Sequence, residues 1–234
     1  RLTVEDAARI VERQRKDQVQ FGEAALALKV LSKDDIDFAL SKQFDYSYLS
    51  DQDQSDSPEL VAAYKHFSLV GENLRAVRSQ LMLRWFNTDP ARKVMAIVSP
   101  GNGEGRSFVA ANLAIVFAQQ GERTLLIDAD MRSKPERGQQ ALFKLGKSAG
   151  LSAILANRAG LESAQLIPGL PGLAVLPAGA TPPNPQELLG RPAFGDLLRV
   201  ASQKFDVIII DTAHGHGLAH DPLNAIVAPR PIGW

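Results

Sequence analysis

Ten consecutive residues constrain this chain more than any others: Val98-Ser99-Pro100-Gly101-Asn102-Gly103-Glu104-Gly105-Arg106-Ser107. They stand between a short apolar run, Val94 to Val98, and a helical run, Phe108 to Gln120. A strand that turns through spaced glycines into a helix lets backbone N–H groups point inward round a phosphate, and the helix adds its positive end. The closing Gly105-Arg106-Ser107 resembles the end of a Walker A loop, where a long cation meets the β and γ phosphates and a hydroxyl meets Mg2+. Pro100 stands where the strict pattern has its first glycine, and Arg106 stands where it has lysine. Arginine keeps the charge but presents a planar fork instead of a compact ammonium.

Further short apolar runs follow: Thr124 to Ile127, Leu173 to Leu176 and Val207 to Ile210, each separated from the next by helical stretches. Continuous apolar runs read as strands covered on both faces, and their alternation with helices predicts a mostly parallel α/β sheet of P-loop type. Two of the runs end in acids, Leu125-Leu126-Ile127-Asp128-Ala129-Asp130-Met131-Arg132 and Ile208-Ile209-Ile210-Asp211-Thr212. Ligands of such sheets bind at the carboxyl ends of the strands, so Asp128, Asp130 and Asp211 are expected to converge on the glycine loop. Mg2+ takes oxygen ligands and keeps waters, so one hydroxyl with one or two carboxylates suffices.

The front of the chain has a different texture. Ala7, Ile10, Val11 and then Ala24, Ala25, Leu28 recur at helical spacing, and Ser32 followed by Asp34 and Asp35 reads as a capped helix start before Ile36, Phe38 and Ala39. Residues 1–50 are therefore expected to form a small helical domain, the polar stretch 51–58 a linker, and 59–234 the main domain. A helix is predicted from Glu59 to about Phe86, with Leu74, Val77, Leu81 and Trp85 inward and Glu72, Arg75 and Arg78 towards the other side.

Charge separates the same two parts. The chain has 26 basic and 26 acidic residues in 234, yet residues 1–60 carry −5 and the remainder +5. A net charge of zero argues against a dedicated nucleic-acid surface. The absence of cysteine removes thiolate metal sites and cysteine nucleophiles and fits a reducing, cytoplasmic compartment. No stretch approaches the roughly 20 apolar residues of a membrane helix, so any work at a membrane needs a partner. His214, His216, His220 and Asp221 read as a glycine-flanked loop in preference to a metal site, and Phe117, Phe143 and Phe194 as core.

Taken together these motifs resemble the bacterial tyrosine kinases, a P-loop family related to MinD-type ATPases. The nearest likeness is to the chain-length-determinant kinases (EpsG type) of exopolysaccharide gene clusters. The resemblance spans about Val70 to Thr212. It takes in Glu72-x-x-Arg75-x-x-Arg78, similar to the family's oligomerisation motif, the loop Gly103 to Ser107, Asn112-Leu113-Ala114, and the second Walker motif Leu125 to Arg132. It also takes in Asp211-Thr212, and Pro177-Ala178-Gly179 with Pro182 to Leu189, similar to the family's segment beside the nucleotide. Phe21-Gly22-Glu23-Ala24-Ala25-Leu26 with Leu31-Ser32, Asp34-Asp35 and Ala39-Leu40 resembles the small N-terminal helical domain of type II secretion and pilus ATPases, a partner-binding or regulatory module.

The resemblance implies an autophosphorylating protein-tyrosine kinase that uses ATP with Mg2+, releases ADP, and regulates exopolysaccharide chain length, polymerisation or export. It implies a membrane-bound polysaccharide co-polymerase as partner, peripheral attachment to the inner membrane through it, and self-association through Glu72, Arg75 and Arg78. Gly101, Asn102, Gly103, Glu104, Gly105, Arg106, Ser107 and Phe108 are expected to hold the nucleotide. Ser107, Asp128, Asp130 and Asp211 are expected to hold Mg2+ or its waters, with Asp128 as general base and Arg106, Asp130 and Arg132 assisting with charge. Family members end in a tyrosine-rich tail, whereas the three tyrosines here, Tyr46, Tyr48 and Tyr64, lie near the front, so the tail and a closing strand are expected to be missing. The alternatives are a MinD/ParA-like switch ATPase and a nucleotide-binding pseudokinase serving as an interaction module.

Overall fold

The computed structural model of the chain describes residues 2–32, 35–36, 39, 57–64, 68–133 and 138–213. The expected linker core at 51–56, Tyr46, Tyr48, Asp34, Phe38, Leu40 and the histidine loop with Asp221 lie outside the described residues. The chain divides into two compact units, Arg1–Gln52 and Asp53–Trp234.

In the first unit, helix α1 (Val4–Asp17) starts at Thr3, whose Oγ1 accepts the Asp6 N–H at 3.1 Å, and stops where Gln18 turns left-handed. Helix α2 (Phe21–Ala27) opens with Gln20 N–H donating to Glu23 Oε2 at 3.2 Å, half of a capping box. Their small core is Ile10, Ala24 and Ala25, with Val19, Leu28 and Leu31 packed against it. Ser32 caps as expected: Asp35 N–H donates to Ser32 Oγ at 3.1 Å and Ser32 N–H to Asp35 Oδ2 at 2.9 Å.

The second unit begins with helices α3 (Val61–Tyr64) and α4 (Leu69–Arg84), then strand β1 (Val94–Ile97), helix α5 (Arg106–Gln119) and strand β2 (Thr124–Asp128). Helices α6 (Gln139–Leu142) and α7 (Gly150–Leu155) and strands β3 (Gln165–Leu166) and β4 (Leu173–Leu176) follow. Helices α8 (Pro185–Leu189) and α9 (Pro192–Lys204) and strand β5 (Val207–Asp211) complete the described part. The sheet order is β1-β5-β2-β4-β3, parallel except for β3, a two-residue edge strand antiparallel to β4 that the sequence did not reveal. β2, β4 and β5 are wholly buried, whereas β1, at the other edge, is half-buried.

Side chains alternate across such a sheet. Leu125, Ile127, Leu176, Ile208 and Ile210 pack in one cluster with Leu151, Leu155, Phe194 and Leu198 of the helices covering that face. α5 is buried along nearly all its length, from Ala110 to Ala118, between the sheet and the α3–α4 pair. Phe117, Phe143 and Phe194 are core residues, as expected. Asn112, fully buried, accepts the Ala62 N–H at 2.8 Å and donates to the Glu59 and Phe108 carbonyls, tying the start of α3 to α5.

α4 differs from the sequence reading in which side it turns inward. Leu74 is buried but Val77 is 46% exposed, and Arg78 is the half-buried residue between the turns. Its Nη1 donates to the Val116 carbonyl at 2.8 Å. That carbonyl belongs to the last turn of α5, where carbonyls lack helical partners and a cation complements the dipole. An arginine stem can cover apolar surface while its head reaches an acceptor, so Arg78 and not Val77 takes the inward place.

Candidate active site

The register of the sheet builds the site. β2 and β5 pair from Thr124↔Val207 to Asp128↔Asp211, so the two terminal acids are neighbours at one edge of the sheet. At the other end Arg123 forks onto Asp206, Nε to Oδ2 at 2.8 Å and Nη2 to Oδ1 at 2.6 Å, and fixes the same register from below. Ile97 pairs with Asp211, so the strand feeding the glycine loop ends beside the acids as well.

Asp128 is 2% exposed and Asp211 fully buried. Asp128 accepts the Gln139 N–H on Oδ2 at 2.9 Å and the Asp130 N–H on Oδ1 at 3.1 Å. Burial, and then the like charge of Asp211, push the Asp128 carboxyl up to about 7 despite these bonds. Burial raises Asp211 too, opposed by the Gln139 hydrogen bond and by the nearby Ser107 hydroxyl.

The loop turns through Gly103 and Gly105, whose φ of 73° and 83° lie in the left-handed region that suits glycine. Gly105 is the N-cap of α5 and offers no side chain to its first amides, which leaves them for an anion. Glu104 folds back over the loop: its Oε2 accepts the Gly101 N–H at 2.9 Å and the carboxylate also bonds the Ser99 side chain. These two bonds, Ser99 first, hold its carboxyl below the usual range.

Arg106 takes a position the sequence did not indicate. It is 8% exposed, with Nε donating to the Thr212 carbonyl at 3.0 Å and Nη1 to Ser99 Oγ and the Gly101 carbonyl. A buried guanidinium must satisfy its N–H groups, and the nearest acceptors are the strand ends and the loop itself. Arg106 thus clamps the loop to β5. Ser107, one residue on, stands beside Asp211.

Asp130 is spent locally: Oδ1 accepts the Arg132 and Ser133 N–H groups at 3.2 and 3.1 Å, and Oδ2 accepts the Ser133 hydroxyl at 2.6 Å. Its oxygens shape the turn after β2. Arg132 is exposed and joins Pro185, Gln186 and Ala213 in lining a shallow cleft. Asp128, Asp130, Ser133, Gly138, Gly179 and Thr181 line another. Ala178 and Gly179 therefore flank Asp128 and Asp130, whereas Pro185, Gln186 and Leu189 flank Arg132. Asn102, Gly103, Glu104 and Gly105 are exposed, and Phe108 is half-buried. Glu72 lies exposed on α4, with Arg75 half-buried.

Whether these residues suit Mg2+ is answered by Asp211 Oδ1, a buried oxygen that accepts no hydrogen bond. Two neighbouring buried acids with one open oxygen and an adjacent hydroxyl call for a hard cation. Ser107 and Asp211 fit it directly and Asp128 lies beside them, whereas Asp130 does not fit as a direct ligand. Among the described residues no three His, Cys, Asp or Glu side chains gather as a self-contained metal cage, so a cation here would complete its shell with water and ligand oxygens.

The matches to known proteins agree with this geometry. The profile of the CbiA family, the CobQ/CobB/MinD/ParA nucleotide binding domain, matches residues 95–179. Tyrosine-protein kinase YwqD of Bacillus subtilis is 38% identical over 153 residues, covering 65% of this chain and 62% of its own length. The crystal structure of the chimerical protein CapA2B2 superposes with a TM-score of 0.64 at 29% identity, over 81% of this chain and 80% of that one. The VpsO kinase domain is 32% identical with a TM-score of 0.51, over 62% of this chain and 72% of that domain. The chain belongs to the bacterial tyrosine kinase family.

It spans about three fifths of the length of its curated relative YwqD, at 62%. The matched segment holds the glycine loop, Asp128, Asp130 and Arg132, while Asp211 and the α4 residues lie outside it. It also holds Gln139, which sequence reasoning missed. Gln139 follows a run of polar residues and carries no motif; only the fold brings it to the acids.

Proposed function

We propose that this chain is an ATP-dependent protein-tyrosine kinase that autophosphorylates and regulates exopolysaccharide chain length, polymerisation or export. The observation that carries the proposal is the in-register pair Asp128 and Asp211 at the strand ends, both buried, with Asp211 keeping an open oxygen. The kinase names of its relatives support the same reading.

Mg-ATP, when bound, supplies the transferable phosphoryl group and the cation that neutralises its charge. The chain's own part is positioning and proton management. The amides of Gly103 to Arg106 and the first turn of α5 bind phosphate oxygens, and Ser107 with Asp211 holds the cation. Asp128, whose anion a cation on Asp211 favours, takes the proton of an incoming tyrosine hydroxyl. Asp130 holds the turn that aims Asp128, and Arg132 lies where it can meet phosphate or protein charge. We place the kinase in the cytoplasm at the inner membrane, held there by a membrane-bound polysaccharide co-polymerase and self-associating through the Glu72, Arg75 and Arg78 helix. The front helical unit is then its partner-binding or regulatory module.

Mass spectrometry after incubation with Mg-ATP and a tyrosine-rich tail peptide tests the reading, with Asp128→Asn as control. Phosphotyrosine in the parent alone is the expected result. The internal use of the Arg106 guanidinium favours one second reading, a nucleotide-binding pseudokinase, which predicts bound nucleotide and no phosphotyrosine. Hydrolysis of ATP without phosphotyrosine would instead point to a switch ATPase.

A further inference from the structure

Gln139 is fully buried at the first position of α6, and its backbone N–H and side-chain amide hydrogens all donate to the site. Its backbone N–H donates to Asp128 Oδ2 at 2.9 Å. Its side-chain Nε2 donates to Asp211 Oδ2 at 2.7 Å and to the Ser107 carbonyl at 3.1 Å, which uses both amide hydrogens. The amide must face this way, since its oxygen turned towards Asp211 would oppose two acceptors. Two buried acceptors then stay open at the same place, Asp211 Oδ1 and Gln139 Oε1.

We infer that Gln139 is a positioning residue for the cation: it locks one oxygen of Asp211 so that the other is presented beside the Ser107 hydroxyl, and it ties that acid to the first turn of α5. The inference rests on the reading of the site as one for a Mg-nucleotide. A carboxylate with one oxygen held by an amide has one rotational setting, and its free oxygen has one direction. A hydrated cation answers both open acceptors, with its charge at Asp211 Oδ1 and with a water O–H at Gln139 Oε1. Partners of this outer kind typically set metal affinity by about 10- to 100-fold. They are silent in sequence, because any polar residue that the fold delivers to the acids can serve.

The test is equilibrium binding of ADP to the full chain across a Mg2+ titration, for the parent and for Gln139→Met, which keeps the length and loses both donors. The expected result is unchanged ADP binding without Mg2+, an unchanged melting temperature within a few degrees, and a half-saturating Mg2+ concentration raised about tenfold or more. Gln139→Asn, which keeps the amide but cannot span from α6 to both acceptors, is expected to show the same rise and serves should Gln139→Met not fold. A parent that responds to Mg2+ while both folded variants keep its half-saturation point overturns the inference alone. Equal weakening of ADP binding with and without Mg2+ also overturns it, since that marks a merely structural role. A parent whose ADP binding ignores Mg2+ overturns the inference together with the reading on which it rests.

Discussion

At the scale of single residues, three charges of the site, Arg106, Asp128 and Asp211, are held out of reach of water. Asp128 is the clearest case. Its carboxyl titrates near 7 in the fold against 3.8 ordinarily, because burial and Asp211 disfavour the anion. In that window the folded protein holds a proton the unfolded chain has released, so stability is greatest below about pH 4 for this group and is lost as pH rises through 7. At about 1.4 kcal/mol per unit the loss is on the order of 4 kcal/mol. Urea unfolding at pH 5 and pH 8 should show the ligand-free protein weaker at pH 8, and Asp128→Asn should remove most of that slope. Glu104 acts differently, as an anion already lying on the loop's Gly101 amide. Glu104→Gln removes a negative charge from the place a phosphate takes, and fluorescence titration should find ADP bound several-fold more tightly. Weaker or equal binding by Glu104→Gln would mean that the carboxylate is no competitor.

At the scale of elements, α4 tests how a motif divides between folding and assembly. Glu72, Arg75 and Arg78 are one turn apart in sequence, yet Arg78 caps the last turn of α5 while Glu72 faces outward. Arg78→Ala should therefore cost about 1–2 kcal/mol in chemical denaturation, from a lost charged hydrogen bond at a helix end. Glu72→Ala should stay within about 0.5 kcal/mol of the parent. If the helix also serves self-association, Glu72→Ala should shift the sedimentation profile towards smaller species with no loss of stability. The strands were legible from their runs of Val, Ile and Leu, and their ends were marked by the acids themselves. The inward side of α4 was not, because Val77 and Arg78 are adjacent and hydropathy alone ranks the wrong one as buried. Strand β3, only two residues long, has no period to read.

At the scale of the whole molecule, every candidate site residue belongs to the larger unit, Asp53–Trp234, while Arg1–Gln52 carries its own small core of Ile10, Ala24 and Ala25. Removing residues 1–52 should leave ADP affinity within about twofold, measured by the same titration, since no nucleotide-binding residue and no part of the main core is lost. A larger change would assign the front unit a direct influence on the site. Among the described residues no helix is long and apolar enough to cross a membrane. The amino-acid sequence by itself determined the parallel sheet, the glycine loop before α5 and the presence of acids at two strand ends, because each of these is written in local order, as apolar runs and spaced glycines. Only the tertiary structure decided that Asp128 and Asp211 are register partners, that Arg106 turns into the fold, that Asp130 is consumed by its own turn, and that Gln139 joins both acids to the loop. Those outcomes depend on which acceptors lie within about 3 Å once distant segments meet, and hydrogen bonds at that range leave no trace in sequence spacing.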